Sequence, residues 1–143
     1  MPIHFYSQDT KFVLKKKRII STWLNSAATK EGNQIIELSY IFCSDDYLHK
    51  INIEYLNHDS LTDVITFPYE IEGGIKSDIF ISYDRCKDNS HEFKVAISHE
   101  IHRVMIHGLL HLLGYNDKNK TDKSIMTSKE DYYLSLLPEN IHL

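Results

Sequence analysis

Residues 104–113 read Val-Met-Ile-His-Gly-Leu-Leu-His-Leu-Leu, apolar almost all the way round except for two histidines, and Gly114 follows. A helix with apolar residues on every side has no face to offer water, so it must lie at the centre of the fold with other elements packed around it. Gly114 stands where a left-handed C-terminal cap is wanted and ends that helix. His107 and His111 are four residues apart and project from one helical face, about 5–6 Å apart at Cβ. Buried imidazoles need polar partners, and at this spacing two of their nitrogens can meet one metal ion at ~2.0–2.1 Å. The turn after Gly114 lets Asp117 fold back as a third ligand. Two imidazoles and a carboxylate leave a fourth position open, the pattern of a catalytic rather than a structural zinc. A satisfied histidine pair without metal is the other reading of the spacing alone.

The remaining pattern supplies the layers around that helix. Ile3 to Tyr6 reads as a short strand. A helix is predicted from Asp9 or Thr10 to about Ala28, stopping near Gly32, with Phe12, Ile19, Trp23 and Ala27 on one stripe. Lys16 falls on the same stripe and must snorkel unless the helix begins later. Residues 34–43 alternate Ile36, Leu38, Tyr40 and Phe42 against Glu37 and Ser39, a half-buried strand, and Ser44 caps a short helix through Leu48, Ile51 and Tyr55. Asp63 to Tyr69 is β-branched and aromatic, ended by Pro68 and followed by the turn glycines Gly73 and Gly74. Ile75 to Tyr83 is a further strand, with Ile79 and Ile81 on one side and Asp78, Phe80 and Ser82 on the other. One helix is predicted from about Ser90 to Leu113 and a last amphipathic one from about Lys120 to Leu136. The order is mixed rather than strictly alternating. The expectation is therefore α+β: a small mixed sheet of about four strands with about four helices, in one domain over residues 1–143.

Charge narrows the function classes. The 143 residues carry a formal −4, which argues against coating nucleic acid by bulk electrostatics. Residues 11–30 hold Lys11, Lys15, Lys16, Lys17, Arg18 and Lys30 with no acid, so the other 123 residues carry −10 (−4 minus +6). That basic run reads either as a solvated helix face or as a phosphate site near the metal. Lys118, Lys120 and Lys123 follow the histidine segment, diluted by Asp117 and Asp122. Two cysteines exclude a disulfide framework and a four-thiolate zinc site, and Cys43 reads as a buried free thiol. The start resembles no signal peptide and no apolar run reaches 18 residues, so a cytoplasmic location is expected. Position 108 is glycine, where the His-Glu-x-x-His metalloproteases carry their general base, which sets that mechanism aside. A residue that small lets another segment, or a substrate, come close to the metal.

The stretch His-Gly-Leu-Leu-His-Leu-Leu-Gly-Tyr (107–115) resembles the signature of the YbeY family of bacterial rRNA-maturation endoribonucleases. That signature is His-Gly-x-Leu-His-Leu-x-Gly-Tyr-Asp-His, and its three histidines bind zinc. Thr62-Asp63-Val64-Ile65-Thr66-Phe67-Pro68 is similar to the family's Pro-Thr-Asp-Val-Leu-Ser-Phe-Pro, and Ser77-Asp78-Ile79-Phe80-Ile81-Ser82 to its Gly-Asp-Ile-x-Ile-Ser. The resemblance covers essentially the whole chain. It implies a zinc-dependent, single-strand endoribonuclease of rRNA maturation, acting at the 3′ end of 16S rRNA in ribosome biogenesis. One Zn²⁺ per chain would be held by His107, His111 and Asp117. RNA, and a ribosomal subunit or its proteins, would be the partners, with no membrane. Asp78 aligns with an acidic family position and is the candidate catalytic residue, orienting a ligating histidine or assisting proton transfer; the alternative is a polar residue on the outer face of its strand.

Three positions depart from the family pattern. Asp117 replaces the third histidine and Asn116 the aspartate before it; a carboxylate still binds zinc, but its charge lowers the Lewis acidity of the metal. A one-residue shift in alignment would leave no ligand at 117. Leu56 stands where the family has a functional arginine, removing a planar fork suited to phosphate. His58 is near enough to substitute, although an exposed loop histidine is the plainer reading. Asp63 reads as a turn cap, His99 and His102 as solvated or satisfied side chains, and Tyr132 and Tyr133 as packing residues. The missing arginine suits another function, a ribosome-associated assembly or RNA-binding module with a mainly structural metal; the open coordination position alone leaves a third, a metal hydrolase of some other small substrate.

Overall fold

A computed structural model describes residues 2–56 and 62–141 of the chain. The elements run β1 (Ile3–Gln8), α1 (Lys17–Lys30), β2 (Ile35–Cys43), α2 (Asp45–Leu56), β3 (Val64–Pro68), β4 (Ile75–Ser82), α3 (Tyr83–Phe93), α4 (Ile97–Leu112) and α5 (Lys120–Ser135). The strands form one mixed sheet in the order β1-β2-β4-β3, with β1, β2 and β4 parallel and β3 antiparallel to β4. This is the α+β fold that the pattern predicts, with five helices among the described residues rather than about four.

The apolar segment does become the central helix. Ile101, Val104, Met105, Ile106, Leu109 and Leu110 of α4 are all buried, and α4 packs on β3 and β4 with α1, α3 and α5 around it. Each such side chain taken out of water contributes about 1.5–3 kcal/mol before the entropy of ordering it. Gly108 has its explanation here: a Cβ added to it would stand 3.3 Å from Ile79 Cγ2 and 3.6 Å from Val64 Cγ2. It is the sheet that comes close at position 108, and the missing side chain lets α4 settle onto β3 and β4.

Several boundaries move, each for a local reason. The first helix begins at Lys17, not Asp9, because Lys16 adopts a left-handed conformation with φ 57°. The Lys16 ammonium donates to the Asn140 carbonyl at 2.7 Å, so it never occupies the apolar stripe. That stripe is Ile20, Trp23, Leu24, Ala27 and Ala28, and Ile19 is exposed. The helix predicted over 90–113 is two helices: Lys94, with φ 57°, ends α3 and the chain restarts as α4. Tyr83, expected to close a strand, opens α3, whose first turn is capped by Ser82 Oγ accepting from the Arg85 N–H at 3.1 Å. In β2 a bulge between Ile35 and Glu37 turns Ile36 outward while Leu38, Tyr40 and Phe42 stay buried. Ser44 does cap α2, accepting from the Tyr47 N–H at 3.1 Å. Cys43 and Cys86 are both buried free thiols, and burial pushes the Cys43 thiol up to about 12. Tyr133 is core as expected, but Tyr132 is exposed.

Alternation along β4 divides the sheet into two faces. Ile79 and Ile81 belong to the main core beneath α4. Phe80 belongs to a second, smaller cluster with Leu48, Ile51, Ile65, Tyr47 and Phe67, on the side covered by α2. Among the described residues no helix is long and apolar enough to cross a membrane.

Candidate metal centre

The C-terminal half of α4 carries the site. His107 Nε2 and His111 Nε2 stand 3.0 Å apart, with ring centroids 4.5 Å apart and the planes nearly perpendicular. After Leu112 the helix closes in a Schellman turn: the Tyr115 N–H donates to the Leu110 carbonyl at 3.0 Å and the Gly114 N–H to that of His111 at 3.1 Å, with Gly114 at φ 106°. This turn reverses the chain and brings Asp117 Oδ2 to 3.4 Å from both histidine Nε2 atoms. Asp117 therefore stands with the two histidines, and the shifted alignment that would leave nothing at 117 does not describe the geometry.

Ligand atoms ~2.0–2.1 Å from a tetrahedral zinc lie ~3.3–3.4 Å from one another. The three separations here, 3.0, 3.4 and 3.4 Å, are close to those edges. The charge around the site also asks for a cation. Arg103 is surrounded by Glu100, Glu130 and Asp63, and with Asp117 these four carboxylates outnumber the one guanidinium by three. Burial pushes the Asp63 carboxyl above its usual range, and the Arg103 guanidinium only partly offsets this. The residues present fit a divalent metal.

Behind the histidines lies a supporting network. Glu130 Oε2 stands 2.5 Å from His107 Nδ1. A carboxylate there fixes the proton on Nδ1 and leaves the Nε2 lone pair facing His111 and Asp117. The other Glu130 oxygen is held by Arg103 Nη1 at 3.3 Å, and Arg103 is in turn gripped by Glu100 through bonds of 2.6 and 2.8 Å. Arg103 Nη2 lies 3.8 Å from Asp63 Oδ2, so the side chain expected to cap a turn faces this arginine instead. Glu130 and Glu100 escape a motif search, but a signal for Glu130 exists: Met126, Glu130 and Tyr133 share the buried face of α5. An acid at a core position of an amphipathic helix needs a partner.

Asp78 is not brought to this centre. It lies on the α2 side of β4, half-buried, where the Tyr69 hydroxyl donates to it at 2.7 Å. The contact that orients His107 is made by Glu130 instead. His102 is buried and packs edge-on against Trp23, with ring centroids 6.3 Å apart, whereas His99 is half-buried on the same helix. His58 lies outside the described residues.

The centre opens into a groove of about 450 Å³ lined by Asn52 and Leu56 of α2, by Thr62 to Thr66, and by His107, His111 and Asp117. Leu56 thus stands at the site. A sequence profile of the family described as Endoribonuclease YbeY matches residues 3–138. A protein named endoribonuclease YbeY from Cytophaga hutchinsonii is 50% identical over 135 residues, covering 94% of each chain. Its counterpart from Flavobacterium johnsoniae is 44% identical over 131 residues, 92% of this chain and 94% of that one.

The chain belongs to the YbeY family.

Membership places it among endoribonucleases, hydrolases that cut RNA internally. The fold agrees: a Thermotoga maritima protein solved in solution superposes with a TM-score of 0.64 at 25% identity, covering 93% of this chain and 87% of that one. Within this YbeY family member, no Lys or Arg lines the groove among the described residues. Lys11 and Lys15 lie instead beside Ile97 and Ser98 at the start of α4. Ten residues of helix separate Ile97 from His107, roughly 15 Å of rise.

Proposed function

We propose that this chain is a zinc-dependent endoribonuclease whose reaction runs in the His107–His111–Asp117 groove, and that its substrate is single-stranded rRNA at the 3′ end of 16S rRNA. The observation that carries this reading is the convergence of three ligand atoms at tetrahedral spacing on an open groove. When bound, zinc supplies a Lewis acid for a phosphoryl oxygen and for the attacking water. The protein's part is preparation. Glu130 holds the His107 ring in one tautomer and one orientation, and Arg103 holds Glu130 in place. Asp117 adds a negative charge to the ligand set, softening the Lewis acidity that three imidazoles would leave. No Lys or Arg stands on the described walls of the groove, which offer phosphate oxygens neutral polar residues such as Thr66. This reading puts the protein in the cytoplasm with a ribosomal subunit or its proteins as partners, because a groove poor in cations needs a second grip on RNA.

A second reading has one observation in its favour. Leu56 in place of the family's arginine, at the groove itself, suits an RNA-binding assembly module whose metal is structural. Purified protein incubated with structured rRNA, beside His111→Ala and Asp117→Ala variants and with zinc measured in each, separates the two. Cleavage by wild type that is lost in both variants supports the enzyme. Stoichiometric zinc in wild type without cleavage supports the module. Cleavage undiminished in both variants would take the reaction away from this site.

A further inference from the structure

Asp117 is held differently from the other two ligands. His107 and His111 ride on a buried helix, whereas Asp117 stands in the connection between α4 and α5, and its side chain is 41% exposed. That connection is bracketed by two fixed points. On one side Tyr115 is locked by its backbone bond to Leu110. On the other, Asn119 caps α5, its side-chain oxygen accepting from the Asp122 N–H at 2.8 Å.

Tyr115 has a second anchor on its side chain. Its hydroxyl donates to Glu31 Oε1 at 2.6 Å. Glu31 is the C-cap of α1, and its carboxylate is 13% exposed. The other oxygen accepts from the Tyr133 hydroxyl and from the Lys129 ammonium at 3.2 Å, while that ammonium lies 5.5 Å over the Tyr115 ring. One carboxylate thus ties the end of α1, the inner face of α5 and the residue two positions before Asp117. None of this cluster touches the ligand atoms, and the mechanism above makes no use of it.

We propose that Glu31 is a positioning residue for the metal ligand Asp117, acting through the Tyr115 hydroxyl. A carboxylate ligand on a connecting segment binds metal only after that segment has been ordered. Anchoring Tyr115 settles this cost when the protein folds, so less of it is left to be met when metal binds. The inference rests on the metal reading given above.

Zinc affinity of the metal-free protein, measured by competition with a chromophoric chelator, tests it. Glu31→Gln and Tyr115→Phe should each weaken zinc binding by about 3–10-fold, one bond further out than the ~10–100-fold lost with groups that touch a ligand. The double variant should be no weaker than the weaker-binding single. In an Asp117→Ala background Glu31→Gln should leave affinity unchanged, because the ligand it positions is gone; a merely structural role would not vanish there. Tyr115→Phe keeps the ring and removes only the hydroxyl, so it reads the anchor even if Glu31→Gln folds poorly. Affinity equal to wild type in both single variants, or an undiminished loss in the Asp117→Ala background, would overturn the proposal while leaving the metal reading intact. A wild-type protein that binds no zinc would overturn both.

Discussion

Asp78 and Ile79 are neighbours in the chain, and β4 sends them to opposite sides of the sheet. On the Ile79 side α4 is pressed down by a glycine, its apolar residues are sealed, and three ligand atoms meet at its end. On the Asp78 side α2 covers a smaller cluster, and the acid is held by a tyrosine hydroxyl within an aromatic groove. Both faces hold carboxylates beside apolar residues. What separates them is partnership: Asp63, Glu100 and Glu130 converge on Arg103, Glu130 also meets His107, and Asp117 meets both histidines, whereas Asp78 is occupied by Tyr69. A motif match gives the order of residues along a strand, and only the pleat says which of them meet.

That contrast can be broken most directly at the ligands. His111→Ala should abolish stoichiometric zinc and reduce RNA cleavage by more than the ~10–100-fold of an outer-group loss, read by elemental analysis and by cleavage rate; retained zinc would show that the histidine face is not the metal face. Next in size is packing. Leu109→Ala, in the main core, should lower unfolding free energy by about 2–5 kcal/mol, while Ile51→Ala, also buried but in the smaller cluster under α2, should cost less in urea titrations. Equal losses would mean that the two faces are one cooperative core.

Glu130→Gln sharpens the comparison. It should weaken zinc affinity by ~10–100-fold with secondary structure unchanged by circular dichroism, since the His107 orientation and not the fold depends on it. A smaller effect is expected on acid stability. Burial pushes the Glu31 carboxyl up, but donation from Tyr115, Tyr133 and Lys129 outweighs it and holds the group below 4.5. A carboxyl depressed by folding contributes stability above its unfolded value, and that stability is lost as pH falls through its folded value. Unfolding midpoints measured between about pH 5 and 2 should therefore fall less steeply for Glu31→Gln than for wild type. Last, Asp78→Asn should leave zinc affinity and cleavage in solution within about twofold, the expectation for a surface-facing group remote from reacting atoms; a tenfold loss of cleavage would return Asp78 to the chemistry.

Much of this was legible in the chain because the decisive signals are local. The apolar run round His107 and His111, the glycine stop and the return to Asp117 are all set within about a dozen residues, and the structure brings the three together. The α+β class follows equally from short-range periodicity. What the chain does not display is long-range. Glu130 reaches His107 from 23 positions away, and Glu31 reaches Tyr115 across 84. No spacing rule connects such pairs before α1 and α5 are packed against α4. The misplaced boundaries have another cause: Lys16 and Lys94 take a left-handed backbone that propensity does not assign to lysine. Where α1 starts and where α3 stops is decided there.

The central claim is that one metal sits between His107, His111 and Asp117. Anomalous scattering at the zinc edge from crystals of the zinc-loaded protein tests it directly. The account predicts a single strong peak within bonding distance of both Nε2 atoms and the Asp117 carboxylate. A peak elsewhere on the chain, with those three side chains free of it, would contradict it.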